Sequence, residues 1–530
     1  MSRITSKLRL FAGISAVVAC TVAMSAAATQ ARVGGGQIGA YTTKGAWSFV
    51  SAPNLHPPKL STDVKTQTSK LAPGYFMVAV FKNLFFKQPL TGQAGPLILD
   101  HNLQPVWFDP IGTGVLAGNL TTQTYNGKPA LSWWQGVVTG SGQTTSGKDV
   151  VVDQHYKTVA TLTGKDGWVI SEHEMIISGA NAWVTAYKTV PYNLTPYGGS
   201  ANGQVLDSAV QEYNLASGQL LYTWDALNPS GVPNIPLSQS QQKPFPGVPW
   251  DAYHINSIQL TGNGTFLVSM RNTWTAYLVN RATNAVEWTV SGNPKNSTFK
   301  LPAKAQFHWQ HDVRLHGGNV LTVFNDNCCL ISGVSNGKAK FAKPNGTMAG
   351  LVIKLDLTKH AGSFSQAYTR PRTYNAAYLG NIQLLPDGNV ALSWGSQPIF
   401  SEESKTGKLL MDVVWPIPDQ SYRAFVQKWV GIPYYPPSGA VRDNHGTATI
   451  YASWDGDTQV VSWRVLAGSS AKSLKASATV AKTGFETAIP LTSSYKVYEV
   501  QALDSHKHVL GTSKAFPTQS GSNNGLPGEY

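Results

Sequence analysis

His254–Arg271 reads HINSIQLTGNGTFLVSMR. Apolar and polar residues alternate on both sides of Gly262-Asn263-Gly264, the pattern of two strands joined by a tight turn. The unit recurs. Gln310–Asp326 reads QHDVRLHGGNVLTVFND, Gly380–Ser396 reads GNIQLLPDGNVALSWGS, and a looser copy, EHEMIISGANAWVTAY, starts at Glu172. A second half-unit accompanies it, a short polar link leading to an aromatic or apolar strand. Copies run from Asp100 to Trp107, Asp153 to Leu162, Tyr213 to Trp224, Val279 to Trp288, Leu355 to Tyr368 and Phe400 to Trp415. Read as hairpins between the two middle strands of a sheet, these copies predict an all-β fold, a six-bladed β-propeller over residues 73–436. Their spacing is irregular, and stretches 191–208, 228–250 and 330–348, rich in Pro, Gly, Asn and Ser, read as insertions.

Texture changes at both ends. From Pro437 the segments IYASWDGDTQVVSWRVLAG, GFETAIPL and YKVYEVQALD alternate like the strands of a small sandwich. Residues 437–518 are therefore expected to form a C-terminal fibronectin type III-like β-sandwich, and 519–530 a flexible tail. At the other end Arg3, Lys7 and Arg9 precede an apolar run from Leu10 to Ala28 that finishes in small residues. That is the layout of a secretory signal peptide over residues 1–31, cleaved after Ala31 or after Ala28. A single membrane anchor is the competing reading, and Val17-Val18-Ala19-Cys20 resembles a lipobox, although the apolar run continues past the cysteine. Residues 32–72 read as an N-terminal extension. The expectation is a secreted or cell-envelope protein, periplasmic in a Gram-negative host.

Removing the leader leaves adjacent Cys328 and Cys329. Export permits oxidation, so a vicinal bridge and a pair of reduced thiols both stay open. Two thiols without CxxC spacing do not make a metal site, and no metal or cofactor is expected. The formal charge is +13, from 41 Lys plus Arg against 28 Asp plus Glu. No basic run interleaved with aromatics accompanies it, which argues against nucleic acid. A diffuse positive field suits anionic small substrates or association with an anionic cell envelope.

Aligning the repeated strands on Met175, Ile258, Val313 and Ile382 places His173, Asn256, His311 and Gly380 in one column. Ser171, His254, Trp309 and Tyr378 fall two residues earlier, on the same face of a strand. Innermost propeller strands surround the central channel, so His173, His254 and His311 are expected at one mouth. One histidine alone would be read as satisfying a turn; three from separate units point to function. Arg271 and Asn325 or Asp326 end the following strands, facing either substrate or solvent.

The segments DAYHINSI (251–258), FLVSMRNTWTAYLVNRATNAVEWTVSG (266–292) and FHWQHDVRL (307–315), followed by LTVFNDN (321–327), resemble the signature of the arylsulfotransferase family. The resemblance covers Pro73 to Trp415. It implies a six-bladed propeller outside the cytoplasm, moving a sulfuryl group from a phenolic sulfate ester to a phenol. It further implies a ping-pong route through a sulfated histidine, with other histidines and an arginine around the sulfate. Such chemistry needs a nucleophilic imidazole, donors for three sulfuryl oxygens, and an acid or base for the phenol oxygen. By motif, His254 and His311 match site histidines, assigned to sulfate binding and proton transfer. Asn256, Arg271, Asn325 and Tyr378 are the candidate substrate-binding residues. Two departures stand out. Cys328 and Cys329 follow LTVFNDN where the family places an arginine, and Asn381 stands in the strand expected to hold the nucleophilic histidine. Either His173 or His311 then serves as nucleophile, or the chain is a noncatalytic propeller that binds an envelope glycan or a protein partner.

Overall fold

The structure, a computed structural model, describes residues 41–518 apart from 67, 84–85, 87, 113, 140–142, 229–230, 336–337 and 371–375. The signal peptide and the C-terminal tail expected from the sequence lie outside the described residues, as do residues 32–40 of the extension. Residues 38–530 group as one compact unit. Among the described residues every regular element is a strand or a three-residue 3-10 turn, and no helix is long and apolar enough to cross a membrane.

The opening stretch forms the expected pair. Ile255–Gly262 runs antiparallel to Thr265–Met270, with Gly262 opposite Thr265. Asn263 and Gly264 between them have φ of 52° and 73°. Both values are left-handed, as the two-residue hairpin turn that matches strand twist requires. The same turn recurs at Asn126-Gly127, with φ of 50° and 75°, between Leu116–Tyr125 and Lys128–Val138. That unit carries the Asn-Gly signal and was not among those read from the sequence.

Each strand–turn–strand unit makes the first two strands of a four-stranded sheet, or of a five-stranded one for Gly380–Ser396. In five of the six copies the second half-unit differs from expectation: its hairpin joins the third strand to the outer edge strand, as in Thr275–Asn280 with Val286–Ser291, while the Phe400–Trp415 copy joins two interior strands as expected. Polar links suit this position because the edge hairpin is the most solvated part of the sheet.

Six first strands are labelled β1 (Leu116–Tyr125), β2 (Val169–Ser178), β3 (Ile255–Gly262), β4 (His311–His316), β5 (Asn381–Leu384) and β6 (Ala424–Gln427). Side-chain amides tie them in series. Gln123 donates to Met175 O (2.9 Å), Asn256 to Gln310 O (2.7 Å) and Gln259 to Leu315 O (2.8 Å). Asp312 accepts from Ile382 N, Asn381 and Gln383 pair with Ala424 and Val426, and Gln427 accepts from Thr122 N. Tyr187, from the second sheet, donates to Ile255 O. β6 pairs with Tyr75–Lys82, so the last sheet is assembled from both ends of this region. Sheet faces interlock through buried side chains such as Trp183, Val210, Ile258, Phe266 and Val268. Each large one contributes about 1.5–3 kcal/mol on burial.

The stretch before residue 73 is not loose. Ser61–Lys65 adds a fifth strand beside Leu409–Val414, and Ser51 donates N–H and hydroxyl to Glu486. After residue 437, a three-stranded and a five-stranded sheet enclose Val441, Ile450, Trp463, Ile489, Tyr498 and Val500. This part is anchored by Tyr156, whose hydroxyl donates to Gly456 O (2.6 Å) and accepts from Trp429 Nε1 (2.9 Å).

Candidate functional site

Ahead of β3, β4 and β5 the chain bends through left-handed residues: His254 at φ 57°, Trp309 at 58° and Leu379 at 71°. Such conformations cost non-glycine residues on the order of 1–3 kcal/mol and gather at functional sites. The bends interrupt strand alternation, so side chains entering the cavity are not the ones a strict two-residue period selects. Asn256 shares the sequence column of His173 and His311, yet its amide spans to Gln310 O, outside the cavity wall. At the fourth position of that column Gly380 has φ 104°, and a Cβ there would collide with the Phe324 ring.

His173, His254 and His311 do converge. Ring centroids are 5.2 Å apart for His173–His254 and 6.4 Å for each other pair. One nitrogen from each ring lies within 4.8 Å of the other two. Each Nδ1 is held: His254 by Asp251 Oδ2 (2.5 Å), His311 by Asp326 Oδ2 (2.7 Å), and His173 by Ser171 Oγ (3.1 Å). His311 Nε2 accepts the Leu379 N–H at 3.3 Å, so its proton sits on Nδ1 and is donated to Asp326. His254 Nε2 has no partner among the described residues, and its side chain is 14% exposed against 1% and 0% for the other two.

Burial dominates the electrostatics. It pushes His173 and His311 well below the usual imidazole range, helped for His173 by His254 and Arg423, and for His311 by Arg271 and its neighbour histidines. Asp326 is pushed well up by burial, with Arg271 pulling the other way. Glu172 also lines the cavity. Burial raises its carboxyl, against a hydrogen bond from Thr144 and the proximity of His254. Glu172 Oε1 stands 3.8 Å from His173 Nε2.

Arg271 is buried at the same cavity, its guanidinium 4.9 Å over the Trp309 ring. Nη1 donates to Asn272 Oδ1, and Nη2 to the carbonyls of Ala377 (2.9 Å), Cys329 (3.3 Å) and Cys328 (3.5 Å). Cys328 and Cys329 are disulfide-bonded to each other. Cys328 and Cys329 thus hold Arg271 through their backbone carbonyls. Tyr378 lines the cavity and donates its hydroxyl to Asn83. Asn325 does not reach it; its Oδ1 accepts from His308 N (2.9 Å) and braces the loop. The cavity encloses about 110 Å³, with apolar wall from Phe81, Leu116, Trp134, Ile331 and Phe341.

A model of the arylsulfotransferase (ASST) family matches residues 121–415, more than half of the 530-residue chain. The chain belongs to the arylsulfotransferase family. Within it, Asn381 is a structural residue: fully buried, it donates Nδ2 to Ala424 O and accepts Ala424 N–H at Oδ1, spending its amide on β6. No curated protein matches the chain. Among solved structures, a protein of unknown function from Bacteroides caccae is 10% identical, at a TM-score of 0.37, over 67% of this chain and 100% of that one. The Cps50 (Swd1) beta-propeller domain of Myceliophteria thermophila is also 10% identical, at a TM-score of 0.25, over 61% and 94%. Quinohemoprotein alcohol dehydrogenase from Comamonas testosteroni is 11% identical, at 0.29, over 68% and 60%. Likeness of this degree bears on neither the site nor the reaction of an arylsulfotransferase-family chain.

Sequence reasoning missed Glu172, Asp251, Tyr422 and Arg423, and gave Asp326 only as an alternative. Asp251 and Asp326 were within reach: each lies beside a motif already singled out, in DAYHINSI and in VFND.

Proposed function

We propose that this chain is an exported arylsulfotransferase in which a six-bladed propeller, followed by a fibronectin type III-like sandwich, presents the histidine cluster to phenolic sulfate esters. The observation that carries the reading is three histidines from β2, β4 and the entry to β3 meeting Arg271 in one apolar-walled cavity. An aryl ring fits such walls, while imidazoles and a guanidinium suit a sulfuryl group.

His254 is the nucleophile in this scheme. Asp251 holds Nδ1–H, leaving the Nε2 lone pair free and nearest the opening. Nε2 attacks sulfur, the sulfur–oxygen bond to the aryl group breaks, and Asp251 stabilises the charge on the sulfated ring. Glu172, whose carboxyl burial pushes upward, is the acid that gives a proton to the departing phenolate. In the second half an acceptor phenol returns a proton to Glu172, its oxygen takes the sulfuryl group, and His254 is regenerated. Arg271 faces the sulfuryl oxygens. His311 and His173, earlier the nucleophile candidates, are fully buried, and His311 Nε2 already accepts a backbone N–H.

The test is transfer from a chromogenic aryl sulfate to phenol. His254→Ala should lose at least a hundredfold in kcat/KM, with phenol release stopped, and Glu172→Gln should lose turnover most with poor leaving groups. Normal turnover in His254→Ala rejects the assignment. A second reading is a noncatalytic binder: the family resemblance implies a nucleophilic histidine in β5, where Asn381 instead spends its amide on Ala424. No transfer by a folded protein that still binds aryl sulfate would select it.

A further inference from the structure

The histidine cluster has the donor arrangement of a transition-metal site. Three imidazoles each offer one nitrogen within 4.8 Å of the other two, with His311 Nε2 giving up the 3.3 Å hydrogen bond from Leu379 N–H on binding metal. Three imidazole ligands with an open fourth position are a zinc donor set. The second ring nitrogens are anchored as metal-bound histidines require, two by carboxylates, Asp251 at 2.5 Å and Asp326 at 2.7 Å, and one by Ser171. Tetrahedral coordination at about 2.0–2.1 Å needs the nitrogens to close in by about 1 Å, a small rotation of each ring about bonds already hinged at Nδ1. Charge also fits. Asp251 and Asp326 each hold one of the imidazoles, while the Arg271 guanidinium donates to the carbonyls of Cys328, Cys329 and Ala377. An all-imidazole set selects zinc, copper or nickel over magnesium or calcium.

We propose that His173, His254 and His311 bind one zinc-class divalent cation, and that this cation excludes the sulfuryl donor. The binding claim stands on the triad alone; only the exclusion clause rests on the proposed sulfuryl transfer, because the metal takes the lone pair that His254 would use. A second cluster, Asp504, His506 and His508, lies exposed on the C-terminal sandwich, so the test uses the full chain carrying His506→Ala and His508→Ala.

Metal-stripped protein is titrated with zinc by calorimetry and with cobalt(II) by visible absorption. The expected result is one equivalent bound and a tetrahedral cobalt spectrum. Both should be lost in His254→Ala, whose partly exposed side chain makes misfolding the lesser risk, and Asp326→Asn should bind roughly 10–100-fold more weakly. No stoichiometric binding, or equal binding by His254→Ala with an unchanged circular dichroism spectrum, overturns the proposal. Aryl sulfate turnover is measured on the stripped and loaded forms. Zinc binding without turnover in either form removes the sulfuryl-transfer reading and keeps the metal site. Turnover that is equal in both forms overturns the exclusion.

Discussion

Replacing Arg423 by methionine tests what holds the inner strands together. Arg423 is completely buried; Nη1 donates to Asn119 Oδ1 (3.2 Å) and Glu174 Oε2 (2.9 Å), and Nη2 to Asn256 O (2.9 Å). Asp312 Oδ1 stands 3.7 Å away, itself bound by Arg314 at 2.6 Å, and Asp312 Oδ2 accepts from Ile382 N. These groups belong to β1, β2, β3, β4 and β5, and Arg423 directly precedes β6. Burial would weaken the guanidinium charge, but Glu174, Tyr422 and Asp312 outweigh it and keep Arg423 protonated. Removing one partner of a buried charge network costs about 3–5 kcal/mol. Glu174 and Asp312 both keep Arg314, which sets the expected loss near the lower end, about 3 kcal/mol. With a denaturant slope of about 3 kcal/mol/M for urea, the unfolding midpoint should fall by about 1 M. Tryptophan fluorescence follows the transition. Adding Glu174→Gln to Arg423→Met should recover part of the loss, because the two buried carboxylates left to share Arg314 are then reduced to one. A midpoint for Arg423→Met within about 0.2 M of the parent, on the same slope, would refute the reasoning.

Two further outcomes follow from buried polar groups. Burial pushes Asp419 up to about 8, against the Thr91 N–H that it accepts at 2.8 Å. Its folded pKa exceeds the unfolded one, so its contribution to stability is complete below about pH 4 and is lost as pH rises toward 8, at up to about 1.4 kcal/mol per unit. Asp419→Asn keeps the acceptor and should flatten the fall in melting temperature between pH 5 and 9; an unchanged fall counts against it. Asn381→His puts an imidazole into β5, yet should add no activity and destabilise by about 1–3 kcal/mol, since its two nitrogens point apart and cannot together reach the N–H and C=O of Ala424 as the amide does. A more stable or more active variant would contradict the structural role given to Asn381.

The strand units could be read from the sequence because each writes its turn locally: Asn263-Gly264 needs two left-handed residues, and few pairs supply them. The histidines were found for the same reason, since each sits at a fixed offset from an apolar register. Which side chains would fill the cavity was less legible. The left-handed bends at His254, Trp309 and Leu379 break the two-residue period, so Asn256 was expected in the site and instead bridges strands. Asn325 lost its place to Asp326 by one residue, the smallest error an irregular strand end can make. Arg423, Glu174 and Asp312 left no local trace, because a charge network drawn from five strands and a loop has no sequence spacing. The placement of five of the six hairpins at sheet edges was likewise hidden, since a third and a second strand are equally apolar.

That charge network also bears on the cavity. Tyr422 lines the cavity and Arg423 is the next residue; Glu172 lines it and Glu174 lies two residues further along β2. The network therefore backs the cavity wall directly, and that wall inherits the stiffness of strands held by one buried cation. Under the proposed transfer, donor and acceptor phenols would meet the same unyielding wall in turn.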